Sequence, residues 1–599
     1  MIRIVTLKGD YRFARGSKTS RALSGLLLAF VLAIAAGAAQ KQAPTTAGKA
    51  STQSTQRRAG SIKGRVLDES GRPFANAVVY ISPLNGVYEE TREMVTDENG
   101  NFQADGLLAR PYVVECYAKG YVGEDSNAYH LIGESITLWL RKGGVITGTV
   151  TNLLNEPVVK AKVLAIRVRD CEGRSLSSPQ NWDDVETDDR GIYRIYGLES
   201  GSYLLMVNQI GKYDDKALRN ESSIYYPSAT RYGAQEVTVN PGQEVIGINI
   251  TYRGEPGHVI SGKCSGNLKP ASEAYMKLIQ ADSGVVQERE WKGYKENGSF
   301  AFYGVPDGDY YVIAQNDYDE PSAASQPYRV VVKGRDVTGI ELKLAPFGSI
   351  AGRVVKEAPP KPGLNPECKP AREFLIGETV VRALRHKAAA KDMTALLFGS
   401  AVSSAPDEKN DFLIQNLPPG QYLLKMDLFG EDFYVAAATR RAPDGKTIDA
   451  AQNPLTIKSG ERITDITITV REGAASIRGS IAGLSDKAKP PAPLSVYLVP
   501  SERENADLAV RYAETKTQSD NSFAFTNVAP GRYLLLVRPA AVDETDGAFS
   551  FAASTAAGRA ALRREAEAFN KQIDLQPCER VTGYSISYAH TPAATKPGY

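Results

Sequence analysis

The chain reads as an all-β protein, a tandem array of five β-sandwich domains with a short helical insertion in the last. Three observations predict this. A strand opener, Ile-x-Gly-x-(Val/Cys/Ile), occurs at Ile62–Val66, Ile146–Val150, Ile260–Cys264, Ile350–Val354 and Ile477–Ile481. An aromatic strand, a tight turn and a tyrosine follow each opener: Phe102 to Tyr112, Tyr193 to Tyr203, Phe300 to Tyr310, Phe412 to Tyr422 and Phe523 to Tyr533, always ten positions apart. Between them residues alternate apolar and polar, as in Phe300-Ala301-Phe302, which marks strands with one buried face. Fixed internal spacing with variable gaps is the mark of one repeated fold with loop insertions.

Length agrees, since 599 residues at roughly 100 to 150 per domain make four to six units. In order, the sequence predicts a signal peptide over 1–39, a flexible linker over 40–58, sandwiches over 59–143, 144–256, 257–345, 346–472 and 473–589, and a disordered tail over 590–599. The signal peptide rests on six basic residues from Arg3 to Arg21, an uncharged run Ala22–Ala39 and the small residues Ala36-Gly37-Ala38. An uncleaved inner-membrane anchor over 22–39 is the alternative. The linker is rich in Ala, Thr, Ser and Gln without apolar periodicity.

Within each unit the aromatic strand is preceded by a hairpin turn: Asn99-Gly100, Arg190-Gly191, Asn297-Gly298, Asn410-Asp411 or Asn521-Ser522. The repeat-signature glycines Gly64, Gly148, Gly262, Gly352 and Gly479 indicate a bulge or a close backbone approach in the opening strand. The signature tyrosines Tyr112, Tyr203, Tyr310, Tyr422 and Tyr533 open an apolar strand, with the ring capping the core and the hydroxyl bonding backbone as a tyrosine corner. A second turn precedes four of them with glycine two positions before the tyrosine; the first repeat has Arg110 there. The fourth repeat takes 60 positions from Gly352 to Phe412 against 38 from Gly64 to Phe102 in the first, part of the excess being Pro359–Pro362. In the fifth, Ala556–Asn570 reads as a surface helix packing Leu562 and Phe569 onto the sandwich. Short linkers such as Lys142-Gly143-Gly144 predict a semi-rigid rod.

The residues of the first repeat resemble a known family. Gly64-Arg65-Val66-Leu67-Asp68, Gly71-Arg72-Pro73, Ala77-Val78-Val79, Thr96 to Phe102 and Ala118-Lys119-Gly120-Tyr121 are similar to the carboxypeptidase regulatory-like domain, a transthyretin-like β-sandwich. Residues 59–589 follow the pattern, with the hairpin and tyrosine kept in the later repeats. Tyr225-Tyr226-Pro227 and Val237 to Ile248 resemble multi-repeat envelope proteins of Gram-negative bacteria, notably acidobacteria. The resemblance implies an exported protein, placed in the periplasm, on the outer-membrane surface or outside the cell, and no reaction.

Composition narrows the partners. Lys and Arg number 71 against 69 Asp and Glu, so no global field favours nucleic acid, and a membrane is met only through the N-terminal segment if it is uncleaved. The cysteines Cys116, Cys171, Cys264, Cys368 and Cys578 fall one per repeat, which does not make a disulfide framework. No catalytic, cofactor or metal residues are expected. None of His130, His258, His386 and His590 has a carboxylate at the third position after it, as a zinc carboxypeptidase needs. There is no Gly-x-Ser-x-Gly, Gly445-Lys446-Thr447 lacks the leading glycine of a phosphate loop, and Asp97–Asn101 suits a β-turn better than a calcium loop. An isopeptide crosslink of the adhesin type finds only Glu115 and Asn249, in different repeats.

The remaining candidates are aromatic. Trp182, Tyr225, Tyr226 and Tyr232 lie in the long loops of the second repeat, where they either stack on sugar or cover the sandwich edge. The leading reading is a non-enzymatic exported scaffold or interaction protein whose partner is an envelope protein or polysaccharide; the alternatives are a carbohydrate-binding array and an accessory protein of an outer-membrane transporter.

Overall fold

The computed structural model describes residues 59–588, apart from 85–89, 125–127, 182–184, 211–220, 267–273, 282–285, 291–297, 318–320, 359–371, 387–392, 442–444, 483–493 and 541–551. The signal-peptide, linker and tail segments lie outside the described residues. The rest forms five two-sheet sandwiches, each around its own apolar core.

One arrangement repeats. The opening strand runs antiparallel to the aromatic hairpin strand on one side and parallel to the closing strand on the other, as Ala59–Asp68 does between Asn101–Leu108 and Ser135–Lys142. Gly348–Glu357 does so in the fourth sandwich and Ala475–Ala482 in the fifth. The second sheet pairs a core strand with the tyrosine strand, as Val78–Pro83 with Tyr112–Tyr117 and Leu494–Pro500 with Gly531–Pro539.

The signature glycines sit where two strands come too close for a side chain. A Cβ at Gly64, Gly148, Gly262, Gly352 or Gly479 would collide with the carbonyl oxygen of Ile136, Ile248, Ile340, Ile466 or Tyr584 on the closing strand. In the third, fourth and fifth sandwiches the register slips beside that glycine. The closing strand there has left-handed backbone at Gly339, Asp465 and Gly583. The glycine itself marks the close approach, and in these three sandwiches the bulge falls on the closing strand and not on the opening strand.

The turns are locked by their own side chains. Oδ1 of Asp97 accepts from the backbone N–H of Asn99 and of Asn101, and Asp188 and Asp407 repeat this two and four residues on. The preceding threonine ties the turn to the core strand: Thr96 Oγ1 accepts from Ala77 N–H and donates to Phe74 C=O, as Thr187 does with Ala161 and Val158. The Thr-Asp pair of the motif is thus a hydrogen-bonding device.

Three expectations are corrected or extended. The fourth unit holds a short helix, Met393–Phe398, and a hairpin, Phe433–Arg441 with Thr447–Asp449, laid on its closing strand. The rod is not observed: Tyr129 of the first sandwich meets Phe429 of the fourth edge to face at 6.3 Å, with the Arg382 guanidinium 5.4 Å from its ring. Linker length limits the reach of neighbours but does not stop the array turning back on itself. Cys578 is disulfide-bonded, whereas Cys116 and Cys171 are free thiols. Bridging depends on approach in space, which spacing along the chain does not report. Cys264 packs in the third core as a small apolar residue.

The fourth and fifth sandwiches are joined by polar and apolar contacts. Asn527 Nδ2 donates to Gly430 and Phe433 carbonyls, Arg580 pairs with Asp432, and Tyr434, Ala474 and Ala529 pack together. The buried Arg559 Nη1 donates to Gln452 C=O across the joint.

Candidate functional site

The tyrosine corner is the most regular site in the chain. Each hydroxyl donates to the carbonyl four residues back: Tyr112 to Leu108 at 3.0 Å, Tyr203 to Glu199 at 2.6 Å, Tyr310 to Pro306 at 2.9 Å, Tyr422 to Pro418 at 2.6 Å and Tyr533 to Ala529 at 2.7 Å. Among the described residues a guanidinium completes four of the five. Arg385 lies directly across from Tyr422, and its Nη1 donates to Pro419 C=O and to the tyrosine hydroxyl. Arg167 lies across from Tyr203 and donates to Ser200 C=O.

Where the facing residue is proline, the cation arrives from elsewhere. Pro83 faces Tyr112, and Arg110 from the turn stands over that ring. Pro500 faces Tyr533, and Arg511 donates to Pro530 C=O. Glycine two positions before the tyrosine makes the room: a Cβ at Gly201, Gly420 or Gly531 would strike Arg167, Arg385 or Arg511. The departure at Arg110 therefore has a cause, because in that repeat the turn itself supplies the cation. Nothing in the motif spacing signalled these arginines, which come from four different elements.

Two tests follow. Tyr422→Phe should cost about 1–2 kcal/mol, because it leaves Pro418 C=O buried without its donor; unchanged urea unfolding of the fourth sandwich would contradict this. In the third sandwich Gln280 faces Tyr310. Gln280→Arg, which sets a guanidinium where Arg167 and Arg385 stand in the second and fourth sandwiches, should raise the melting temperature of the third, by about 1 kcal/mol of added stability; a drop would show the site too tight for a guanidinium.

The three described glycan candidates are not presented together. Tyr225 is fully buried, packed on Ile166, Leu204 and Met206, so its ring is closed to any sugar. Its two-residue strand pairs with the tyrosine strand, which draws the ring beneath the loop. Tyr226 packs against the core of the second sandwich, and Tyr232 is 65% exposed in the 3-10 turn Arg231–Gly233. Trp182 lies outside the described residues. Tyr225 thus covers a sheet face and Tyr226 meets the core.

The titratable groups serve structure. Asp97, the calcium candidate, spends its carboxylate on its own turn. Among the described residues no cluster of three or more His, Cys, Asp or Glu could hold a metal ion. His130 Nδ1 lies 3.0 Å from Glu134, and His258 Nε2 lies 3.2 Å from Asp307. Asn249 Oδ1 accepts from Thr149 N–H and hydroxyl on the opening strand of its own repeat, away from Glu115. Burial pushes the Cys116 thiol up to about 12, which keeps it unreactive. Burial likewise raises the Tyr193 phenol, whose hydroxyl donates to Ile248 C=O.

Hydrogen bonds from Ser70 and Arg72 hold Asp68 at about 2. A depressed carboxylate stabilises the fold above its unfolded value, near 4, and that contribution is lost as pH falls through about 2. Asp68→Ala should therefore lower the melting temperature of the first sandwich at pH 6 and leave it unchanged at pH 1.5; an equal loss at both would contradict the turn-locking role.

Topology, corner and glycine crossing together define the repeat, and the comparison with known families falls on its first copy. Residues 61–136 match the carboxypeptidase regulatory-like domain. That regulatory-like domain holds the first opening strand, its hairpin and its tyrosine corner, and the later sandwiches repeat its architecture. No curated protein matches the chain. Solved structures that align with it include a minor pilin of Streptococcus agalactiae, 12% identical over 33% of this chain and 97% of that one, with a TM-score of 0.20. The major pilin subunit of Bacillus cereus is 13% identical over 48% and 99%, with a TM-score of 0.13. The TIE protein of Bacillus anthracis is 13% identical over 70% and 75%, with a TM-score of 0.14. At these scores the likenesses carry no argument about activity or partners. Among the described residues no helix is long and apolar enough to cross a membrane.

Proposed function

We propose that the chain is a non-enzymatic exported scaffold or interaction protein, in which regulatory-like sandwiches hold binding surfaces at fixed separations. The observation that supports it is the use of polar side chains: the repeated aspartates, threonines, tyrosines and arginines are spent on turns, corners and joints. The joints hold the sandwiches against one another. The third sandwich is covered by Leu397 and Phe398 of the fourth, and Val510 of the fifth packs on the fourth core. A rigid multi-domain frame suits presentation of a partner at the cell envelope.

The test is to incubate the full chain with envelope-protein and polysaccharide fractions and identify by mass spectrometry what co-sediments. Retention of one protein is expected. Retention on polysaccharide, lost in Tyr232→Ala or Trp182→Ala, would overturn it in favour of a carbohydrate-binding array, and co-purification with a transmembrane barrel would make it a transporter accessory.

A further inference from the structure

In four sandwiches something lies against the outer face of the core-strand sheet. Tyr225 and Ala234 lie on Ile166, Leu204 and Met206 in the second. Phe347, Leu397 and Phe398 lie on Ile279, Ile313 and Ala324 in the third. In the fourth all of Val380–Arg385 is buried, with the ring of Tyr129 from the first sandwich against Arg382. In the fifth, Leu562 and Ala566 of the helix lie on Tyr497, Val499, Leu534 and Leu536.

In the first sandwich no apolar cluster of described residues lies over that face. Val95, Val78 and Tyr117 stand directly opposite one another across three strands, and Val95 is 57% and Tyr117 54% exposed. The row is about 10 Å wide, the diameter of one helix. The row two residues along is Glu93, Tyr80 and Glu115.

The fifth sandwich shows what such a face takes. There Tyr497 stands opposite Glu514 as Tyr80 stands opposite Glu93, and its hydroxyl donates to that carboxylate at 2.7 Å. The Arg538 guanidinium lies 4.6 Å from the Tyr497 ring and faces Glu565 of the covering helix. The first sandwich has the tyrosine and the carboxylate, with a second carboxylate, Glu115, in place of Leu536. A second copy laid face to face would set Glu93 and Glu115 against their own kind, which is unfavourable.

We propose that this face of the first sandwich docks an amphipathic helix of another protein, with its apolar stripe on Val95, Val78 and Tyr117 and a lysine or arginine beside the stripe meeting Glu93 and Glu115. This rests on the scaffold reading and names the kind of partner that one sandwich would hold.

The probes are two labelled 18-residue peptides with the same leucine stripe, one flanked by lysine and one by glutamate, titrated by fluorescence anisotropy into the full chain. Saturable binding of the lysine peptide is expected, at least ten-fold tighter than that of the glutamate peptide. Val95→Thr with Tyr117→Thr should weaken it ten-fold or more while circular dichroism and melting stay unchanged, as both residues are exposed and threonine suits a strand. Glu93→Lys with Glu115→Lys should invert the preference between the peptides. Absence of saturation, binding indifferent to these substitutions, or a concentration-dependent dimer that Val95→Thr dissolves would each overturn the proposal. If they do while the chain still retains an envelope protein, the scaffold reading survives and the docking surface lies elsewhere.

Discussion

Gly352→Ala is expected to unfold the fourth sandwich at a urea concentration well below that of the unmodified chain. The new methyl would strike the Ile466 carbonyl oxygen on one side and the Phe412 ring on the other. The first obstacle is backbone, which cannot rotate away. Gly352 also lies mid-strand between Phe412 in the antiparallel pair and Ile466 in the parallel pair, so relief by moving the strand loses ladder hydrogen bonds on both sides. Overpacking costs about 1–3 kcal/mol and each lost bond about 1 kcal/mol, so a loss of about 4 kcal/mol is expected. That is most of the stability of a marginal domain. Because each sandwich has its own core, the urea profile should be multiphasic, with the transition of the fourth sandwich moving most and those of the sandwiches packed against it moving less. A profile superimposable on that of the parent would sink the close-approach account of all five glycines.

Leu562→Asp is expected to release the helix Ala556–Phe569 while leaving the fifth sandwich core folded. Leu562 is buried, and the surface beneath it belongs to the outer face of the sheet, separate from the inner core of Ile477, Phe523 and Leu535. A buried leucine reduced to alanine already costs about 2–5 kcal/mol, and an unpaired carboxylate there is worse, so undocking is the cheaper outcome. Once undocked, a helix of 14 residues is marginal alone. Trypsin should then cut at Arg559, Arg563 and Arg564, and an apolar dye should bind the bared Tyr497–Leu536 face. Continued protection at those arginines would show the helix held by its other contacts, chiefly the Arg563 bonds to the carbonyls of Pro500 and Ser501.

Much of each sandwich was legible because its determinants are local. The hairpin turns, with left-handed backbone at Gly100, Gly191, Gly298, Asn410 and Asn521, are written in residues that tolerate that conformation. The tyrosine bonds a carbonyl four positions away, so the corner travels with its own turn. The helix Ala556–Phe569 was readable from its composition and from Leu562 and Phe569, both of which meet the sheet. The candidate site was less legible. Tyr225 looked like a loop aromatic free to stack on sugar, yet one short strand pairing places it under the sheet's cover. The arginines of the corners are scattered over a turn, two core strands and a 3-10 turn: sheet register brings Arg167 and Arg385 to their tyrosines, and folding of the turns brings Arg110 and Arg511 to theirs.

By itself the sequence determined that the chain is a run of β-sandwiches, where each hairpin turns, which glycine and which tyrosine recur, and that the fifth unit bears a helix, because these depend on backbone preference and on apolar alternation within a few residues. The tertiary structure alone decided that the first sandwich touches the fourth, that Cys578 is bridged, and which sheet faces are covered. Those depend on surfaces from distant repeats meeting in space, and burial of an outward-facing row is a property of whatever lies over it. Val95, Val78 and Tyr117 alternate in sequence like any strand residues; only the pairing of three strands sets them side by side.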